Sequence, residues 1–421
     1  MLETHLPVDN VCWSPDGGTH QQNLSPEAAP DLVGRFAHVQ QDGNRVTAIR
    51  DQLGLNKLYV GFHPDRGVIA ANYLGDLVKA GIAFTDTYAI PTGSVVTLDP
   101  ERRTATVRNF SALPARAGSS DTPSNIAHQV SEFLDQGMRH LATTHPSTPV
   151  AVCLSGGADS SVVATYTRKY FPHAVAYTYS FGGEHLSEDA AAAQRVATHL
   201  DMPVRVVRAD RQGLLTALHP AVLNGQDWRD FNVHAAVVNE VLGAAIAEDH
   251  PHGALVFTGD LMNEFLADYT PVTYAGNLYY RLPDLPSERL RVHLTRGVQT
   301  GDREVGVFTA HGLTVVQPYG WAATELLSLP EPVSKARFMA HLAHRTLPNG
   351  TIQRPKVRAQ IGDTSADTGV LPQLLLAGIT QAQLQRLFQD ALHISSPAEL
   401  HRTVRGGVHQ PVPHTFPKGD S

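Results

Sequence analysis

The stretch VCLSGGADSSVVATY (152–166) decides the fold of this chain. An apolar run ends at Ser155, two glycines follow, and a helical pattern resumes after Asp159. Glycine permits positive φ and has no Cβ, so a backbone built in this way can approach a bound anion closely. The helix that follows adds unpaired N–H groups and the positive end of its dipole. The stretch therefore predicts a strand, an anion-binding loop and a helix.

The polar residues of this loop indicate a phosphate ligand together with a divalent cation. Ser155, Ser160 and Ser161 supply hydroxyl donors, and Asp159 supplies one carboxylate that suits a cation rather than an anion. The loop differs from a Walker loop, because no GK[ST] follows the glycines and the spacing is too short. A pyrophosphate with its magnesium fits both sets of groups. The alternative is an ordinary strand-to-helix turn with a capping serine.

Apolar strands alternate with helical patterns around this loop. The apolar stretches are 149–154, 173–181, 203–209 and 254–258, and the helical patterns between them are 160–171, 188–200 and 233–249. Continuously apolar strands separated by helices form a parallel sheet that is covered on both faces. The prediction is a doubly wound α/β domain whose ligand lies at the carboxyl ends of its strands.

The chain divides at SALPARAGSSDTPSN (111–125), which is rich in Pro, Gly and Ser. Before it, short β-type stretches such as RVTAIR (45–50) and GVIAAN (67–72) are separated by turn signals. We therefore predict a smaller, β-rich domain over 1–112 and the α/β domain over 113–405. The segment 406–421 is poor in apolar residues and mixes Gly, Pro and His, which predicts a flexible tail.

Composition narrows the class of protein. With 421 residues, 42% of them hydrophobic, the chain can bury the cores of two domains. It has 33 Lys and Arg against 40 Asp and Glu and no basic patch, which disfavours nucleic acid and anionic lipid as partners. Cys12 and Cys153 are too few for a disulfide framework and are typical of a reducing compartment. Since no apolar run approaches the roughly 20 residues of a membrane span, we expect a cytoplasmic protein.

Several stretches carry a resemblance to a known family. SGGxDS is the pyrophosphate loop of the N-type ATP pyrophosphatases, and TGDLMNEFLADY (258–269) resembles the SGEGSDEVFGGY stretch of asparagine synthetases. DREVGVFTAHGLTVVQPYGW (302–321) and LPNGTIQRPKVRAQIG (347–362) resemble two further segments of those enzymes, and RDQLGLNKLYV (50–60) resembles the RDxLGxxxLYY hallmark of their glutaminase domain. The chain thus resembles the asparagine synthetase-like family, which also includes β-lactam synthetase and the lasso-peptide cyclases.

The resemblance implies a reaction, its cofactors ATP and Mg²⁺, and a set of residues. ATP adenylates a substrate carboxylate, pyrophosphate leaves, and ammonia or an amine displaces AMP to form an amide. Such chemistry needs charge neutralisation more than covalent help. By the same resemblance the pyrophosphate loop is Ser155, Gly156, Gly157, Asp159 and Ser160, the nucleotide walls are Leu154, Tyr179, Thr258 and Gly259, the magnesium ligands are Asp159 and Asn263, and the catalytic loop lysine is Lys356. The second catalytic candidate, Asp260, departs from the family and is predicted either to act as the base for the attacking amine or to take over the metal.

Some positions depart from the family pattern. Leu2 stands where glutamine-dependent members carry a nucleophilic cysteine, and Cys12 lies inside the chain and cannot replace it. The first domain is therefore interpreted as a degenerate, glutaminase-like (Ntn-type) domain with a structural role. Asn263 replaces a carboxylate with a neutral ligand. Asp260 replaces the family's Glu or Tyr, and Thr314 replaces a glutamate that orients a catalytic tyrosine in the cyclising members.

These departures leave the base for the nitrogen nucleophile unassigned, and the candidates in order are Asp260, Asp302, Glu304 and His311. The prediction is an ATP-dependent, AMP-forming amide ligase of specialised metabolism such as antibiotic biosynthesis, acting on small-molecule carboxylate and amine substrates without glutamine. Three alternatives stay open: an intramolecular lactam or peptide cyclase, a catalytically dead nucleotide-binding scaffold, and an enzyme that transfers AMP or sulfur. The identity of both substrates and a homodimeric state are also left open.

Overall fold

The computed structural model describes residues 1–15, 24–111, 121–183, 186–296, 301–330, 333–343, 346–355, 359–363 and 367–417. The strands are β1 (Leu2–His5), β2 (Val11–Trp13), β3 (Val33–Arg35), β4 (Ala37–Asp42), β5 (Arg45–Arg50), β6 (Tyr59–His63), β7 (Gly67–Ala71), β8 (Tyr88–Ala89), β9 (Ser94–Asp99), β10 (Thr104–Asn109), β11 (Val150–Cys153), β12 (Val175–Phe181), β13 (Val204–Ala209), β14 (Leu255–Phe257), β15 (Val272–Tyr274), β16 (Asn277–Tyr279), β17 (Thr314–Val316), β18 (Val404–Arg405) and β19 (Val408–His409).

The α-helices are α1 (Leu74–Lys79), α2 (Pro123–Thr144), α3 (Ala158–Tyr170), α4 (Glu188–His199), α5 (Arg211–Asn224), α6 (Asp230–Asp249), α7 (Met262–Leu266), α8 (Ser287–Thr295), α9 (Val305–Thr309), α10 (Ala323–Ser328), α11 (Lys335–Leu342), α12 (Val370–Leu376), α13 (Gln381–Ala391) and α14 (Pro397–Thr403). Short 3-10 helices span Ala29–Asp31, Phe84–Asp86 and Pro318–Ala322. Of the helices in the described residues, none is long and apolar enough to cross a membrane.

The second domain is built on a five-stranded sheet in the order β13-β12-β11-β14-β17. Its neighbouring strands all pair in parallel. Alternate residues of β11 face different cores, because Val152 packs with α2 and α3 on one face and Ala151 packs with α5 and α6 on the other. Helices therefore cover both faces, and the predicted doubly wound α/β fold is confirmed.

The order of the strands reverses between β11 and β14. β12 and β13 lie on one side of β11, whereas β14 and β17 lie on the other. In open α/β sheets, ligands bind in the crevice at the carboxyl ends of the strands where the order reverses. The loop that follows β11, which contains Ser155, and the loop that follows β14, which contains Thr258, both lie at this crevice.

The first domain is β-rich, as predicted, and contains two four-stranded sheets in the orders β1-β7-β6-β8 and β10-β9-β5-β4. The pairings are antiparallel apart from β1 with β7. The RDQLG motif belongs to this scaffold. The guanidinium of Arg50 donates to the carbonyls of Asn56, Gly54 and Ile90, at 2.7 to 2.9 Å, and the carboxylate of Asp51 accepts from backbone N–H groups of the next turn.

The first domain packs directly on the sheet of the second. Arg35, only 3% exposed, donates to the carbonyl of Val315 in β17 at 2.8 Å. The hydroxyl of Tyr73 donates to the carbonyl of Gly306 at 2.6 Å. Because a buried guanidinium must find acceptors, these contacts fix how the two domains sit.

The end of the chain differs from the predicted flexible tail. The ring of Phe416 lies 4.4 Å from the ring of Phe62, and the Ala89 N–H donates to Gln410 O at 2.9 Å. Val412 and Phe416 are 7% and 3% exposed and join the core of the first domain. Single apolar residues spread through a Pro- and Gly-rich segment are enough to order it, and average composition does not reveal them.

Phe416→Ala should lower the free energy of unfolding by about 3 kcal/mol, because removing a buried phenyl ring costs both its transfer energy and a cavity. Leu376→Ala is the matched control, since Leu376 is 59% exposed and should change stability by less than about 0.5 kcal/mol. Urea unfolding followed by circular dichroism measures both. Equal values for the two variants would mean that the tail is not held by this ring.

Candidate nucleotide site

A cavity of about 240 Å³ opens at the carboxyl ends of β11 and β14. The predicted site residues that line it are Ser155, Asp159, Ser160, Thr258, Gly259, Asp260 and Asn263. Leu154 is buried beneath the loop, where its N–H donates to Tyr177 O at 2.9 Å. Tyr179 lines a smaller neighbouring cavity of about 20 Å³, which shares Asp189 and Ala359 with the larger one.

The loop after β11 has the geometry of an anion cradle. Gly156 has φ +69°, and a Cβ there would lie 2.4 Å from the backbone of Ala192. Gly157 is the N-cap of α3 and makes no side-chain capping bond, so the first N–H groups of the helix keep their donors for a ligand. The hydroxyls of Ser155 and Ser160 lie 3.1 Å apart beside them. These groups together present several donors to one point.

The loop after β14 lies directly against the start of α3. A Cβ on Gly259 would lie 2.6 Å from the N atom of Ser160, so only glycine lets the two loops meet. The next turn is strained, because Leu261 has φ +81° and Ala267 has φ +50° without being glycines. Such left-handed residues cost about 1–3 kcal/mol each and cluster at functional sites. They bracket α7, which carries Asn263 and Glu264.

A lysine that the sequence did not single out joins the predicted ligands. The ammonium of Lys335, at the start of α11, lies 2.8 Å from Asp159 Oδ2 and 3.1 Å from Asp268 Oδ2, and it also donates to Asn263 Oδ1. Burial disfavours the charge, but attraction to Asp159 and Asp268 outweighs it, so the pKa of Lys335 is raised. A fixed positive charge therefore stands beside the anion cradle.

The residues at Asp159 and Asn263 can be compared with what a magnesium ion needs. Asp159 Oδ1 is buried and has no hydrogen-bond partner among the described residues. Those residues contain no cluster of three His, Cys, Asp or Glu side chains that could hold an ion alone. Mg²⁺ in phosphate-transfer sites uses one or two carboxylates, and phosphate oxygens complete its shell. Asp159 fits such an ion, whereas Asn263 Oδ1 already accepts from Lys335.

A buried ion-pair network forms the opposite wall. Arg303 binds Asp260 through two bonds of 2.9 and 2.6 Å and Glu264 through one of 2.6 Å. The hydroxyl of Tyr269 donates to Glu264, and Arg303 lies over the ring of Phe231 at 5.6 Å. Burial, followed by repulsion from Asp260, raises the pKa of Glu264. Both oxygens of Asp260 are thus occupied by one guanidinium.

Glu304 is the other carboxyl group of this wall. Its Oε2 accepts from Thr258 Oγ1 at 2.8 Å and from Gln317 Nε2 at 2.7 Å. Burial is the main reason that the pKa of Glu304 is well above its usual range, and the nearby Asp260 raises it further. A carboxyl of this kind exchanges a proton nearer to neutral pH than an exposed one does.

The other base candidates lie elsewhere. Asp302 is 5% exposed and does not line the cavity. Burial raises its pKa, with the nearby Lys57 opposing the shift. His311 lies 2.9 Å from Glu240 and also falls outside the lining. Thr314 begins β17, so it stands at the amino end of the sheet, where it donates to Asp9. Thr314, which stands where the family has a glutamate, therefore faces the first domain rather than the cavity.

Lys356, together with positions 357 and 358, lies outside the described residues, which end at Pro355 and resume at Ala359. Arg354 lies 2.7 Å from Asp189 Oδ1, near the start of α4. Ala359 and Gln360 line the cavity. Burial raises the pKa of Asp189 to about 6, with Arg354 opposing it. Arg354 and Ala359 are thus described residues on either side of positions 356–358.

Residues 135–313 of this chain match the asparagine synthase family model. The chain is 31% identical over 193 residues to asparagine synthetase B [glutamine-hydrolyzing] of Escherichia coli K12, covering 42% of this chain and 33% of that protein. It is 24% identical over 287 residues to amidase chyE of Penicillium rubens, covering 55% of this chain and 42% of that protein. The chain thus spans less than half the length of these relatives.

Among solved structures, NMN synthetase from Francisella tularensis aligns over 66% of this chain and 96% of its own, with 12% identity and a TM-score of 0.32. A likeness this remote adds nothing to the fold described above. The sequence match is more informative, because residues 135–313 contain the loop after β11, the loop after β14, Arg303 and Glu304. Residues 135–313 of this chain are therefore similar to the asparagine synthase family, and this region carries both loops of the candidate site.

Proposed function

We propose that this protein is an ATP-dependent, AMP-forming ligase that joins a carboxylate to ammonia or an amine. The observation that carries the proposal is the glycine loop and the start of α3 at the switch point, with the charged Lys335 and with Asp159 Oδ1, which has no partner among the described residues, beside them. Phosphates require clustered donors and positive charge, and Mg²⁺ requires a free carboxylate oxygen. The names of the relatives, an asparagine synthetase and an amidase, agree with amide chemistry.

The proposed first step breaks the bond between the α- and β-phosphates. A substrate carboxylate oxygen attacks the α-phosphorus, and pyrophosphate leaves with the electron pair. Mg²⁺ held by Asp159 would supply charge neutralisation on the phosphates. Ser155, Ser160 and the first N–H groups of α3 hold the pyrophosphate part of ATP. Lys335 places its charge where negative charge grows on the leaving group, and that is the interaction that lowers a barrier.

In the second step nitrogen attacks the acyl carbon, loses a proton, and expels AMP. Asp260 was the first candidate for the base, but it must leave Arg303 before it can accept a proton. Glu304 faces the same cavity with a raised pKa, and we propose it as the acceptor, with Asp260 positioning Arg303. Lys356 is proposed to stabilise the negative oxygen of the tetrahedral intermediate, and the support is that Ala359, three residues after it, lines the cavity.

We further propose that the nitrogen does not come from glutamine. Arg50 is bound by three backbone carbonyls of the first domain, which supports a structural role for this domain. We also propose that the reaction belongs to specialised metabolism and takes place in the cytoplasm. A closure within one molecule, as in lactam or peptide cyclases, differs only in that acid and amine belong to the same substrate.

A second candidate rests on a specific observation. Lys335 bridges Asp159 and Asn263, the two residues predicted to bind magnesium, so its ammonium could stand in for the ion. That arrangement favours a protein that binds ATP without cleaving it. The two candidates differ in whether ATP is cleaved.

The experiment measures pyrophosphate release by the full chain with ATP, Mg²⁺, a panel of carboxylates that includes amino acids, and ammonium or amines. We expect release that requires a carboxylate, with AMP and an amide as products. A substrate labelled with ¹⁸O in its carboxylate should transfer one label to AMP, which mass spectrometry detects. ATP binding without pyrophosphate release across the panel would favour the non-reacting protein instead.

A further inference from the structure

A second and larger cavity, of about 670 Å³, lies between the first domain and α8. Its walls come from residues 89–92 of the first domain, from α8 and its flanks, and from residues 408–411 near the end of the chain. Among the described residues, none lines both this cavity and the nucleotide site. Its volume falls in the range of small-molecule sites, which is roughly 300–1,000 Å³.

Apolar side chains form part of the wall of this junction cavity. Leu285 and Val408 are 37% and 43% exposed, and both belong to the few large hydrophobic side chains exposed in the described chain. Val292, Ile90 and Pro91 also belong to the apolar lining. Exposed apolar side chains scattered singly need no explanation, but in a concave surface they indicate a ligand.

Positive charge accompanies this apolar surface. Arg289, Val292 and Arg296 are three or four residues apart and therefore share one face of α8 and its C-cap. In the part of the chain that the structure describes, neither Arg289 nor Arg296 forms an ion pair with a carboxylate. Arg50 and Arg291 also line the cavity, and both guanidiniums donate to backbone carbonyls.

Few groups oppose that charge. Glu288 is the one carboxylate in the described lining, against four arginines. His293 lines the cavity too, and its Nε2 is buried without a hydrogen-bond partner among the described residues. An unsatisfied buried nitrogen calls for an explanation such as a missing ligand. The lining therefore combines an apolar floor with an excess of donors.

We propose that the junction cavity binds a small molecule that has an apolar body and a carboxylate. Arginine forks pair with carboxylates in a bidentate way, and the apolar floor buries the rest of the ligand. The enclosed volume favours a small molecule over a macromolecular partner. The proposal does not depend on the proposed ligase activity, because it concerns binding at separate residues.

The position of α8 links this cavity to the nucleotide site. Arg291, 4% exposed, donates from its guanidinium to Phe265 O in α7 and to Leu326 O. α7 also carries Asn263 and Glu264, which belong to the nucleotide site. The buried side chain of Arg291 would thus connect a ligand bound against α8 to α7.

The test uses the full chain and isothermal titration calorimetry with octanoate and 4-phenylbutyrate as probes. Octan-1-ol and 4-phenylbutan-1-ol have the same body without the charge, and acetate has the charge without the body. We expect one carboxylate bound per chain, at least about ten-fold more tightly than its neutral analogue and than acetate. No binding by either carboxylate, or equal binding by the alcohols, would overturn the proposal.

Location is tested with the double variant Arg289→Glu/Arg296→Glu, whose side chains are exposed and whose folding should be unaffected. It should weaken octanoate binding by at least about ten-fold, since two attractive charges become repulsive. The matched control is Arg195→Glu/Arg386→Glu, two exposed arginines on α4 and α13. Unchanged binding in the first pair, or the same loss in both pairs, would contradict a site at α8. Circular dichroism checks that both variants are folded.

Discussion

Asp159→Asn is expected to reduce pyrophosphate release by about 1,000-fold while the protein remains folded, the size of effect typical of losing one charge-stabilising group at a reacting centre. Asp159 is the carboxylate whose Oδ1 is buried without a partner among the described residues and whose Oδ2 meets Lys335 at 2.8 Å. An amide keeps the shape and one oxygen but loses the negative charge that a cation needs. The ATP phosphates would then remain poorly neutralised.

The measurement is the initial rate of pyrophosphate release with saturating ATP, Mg²⁺ and the carboxylate that supports release, in parallel with thermal unfolding. Asp201→Asn is the matched control, because Asp201 is 97% exposed and pairs with Arg168 on the surface. Its rate should stay within a factor of two of the unaltered protein. If Asp159→Asn retained more than about a tenth of the activity, Asp159 would not hold the ion. A drop in both variants would point to a general effect of the substitution.

How much of this site could be predicted depends on whether its residues are local in sequence. The loop at Ser155–Ser160 follows from a strand, two glycines and a helix that are adjacent in the chain, and the structure has that arrangement. Lys335 gave no such signal, because it reaches Asp159 across 176 residues. Only the packing of α11 on α2 and α3 brings it there. A contact of this length cannot be inferred from a single sequence by pattern alone.

The same reasoning explains the mixed outcome for the carboxyl groups. The position of Asp260 in its motif predicts a catalytic carboxylate, yet Arg303, 43 residues away, binds both of its oxygens. Thr314 was compared with a family glutamate by sequence position, and the start of β17 carries it to the far end of the sheet. The position of a residue within a motif shows which family residue it replaces. The direction of its strand, and its place at the start or the end of that strand, decides at which end of the sheet it lies.

Arg303→Met should lower the free energy of unfolding by about 3–5 kcal/mol, because it leaves two buried carboxyl groups without their cation. Asp260 and Glu264 are 15% and 0% exposed, and Arg303 itself is 6% exposed. The loss should depend on pH. Burial already raises the pKa of Glu264, and without Arg303 that pKa rises further. A carboxyl group with a raised folded-state pKa destabilises the protein above that pKa, and protonation removes the effect as pH falls.

The matched control for this network is Arg205→Met, since Arg205 also pairs with two carboxylates, Glu248 and Asp249. Arg205 is 37% exposed and Glu248 is 72% exposed, so water replaces the lost partner and the cost should stay below about 1 kcal/mol. Chemical unfolding at pH 8 and pH 5 separates the two cases. For Arg303→Met the difference from the unaltered protein should shrink by at least about 1 kcal/mol at pH 5, because the stranded carboxyl groups take up protons. An equal cost for both variants, or a cost for Arg303→Met that does not change with pH, would mean that the carboxylates at Arg303 are hydrated rather than buried.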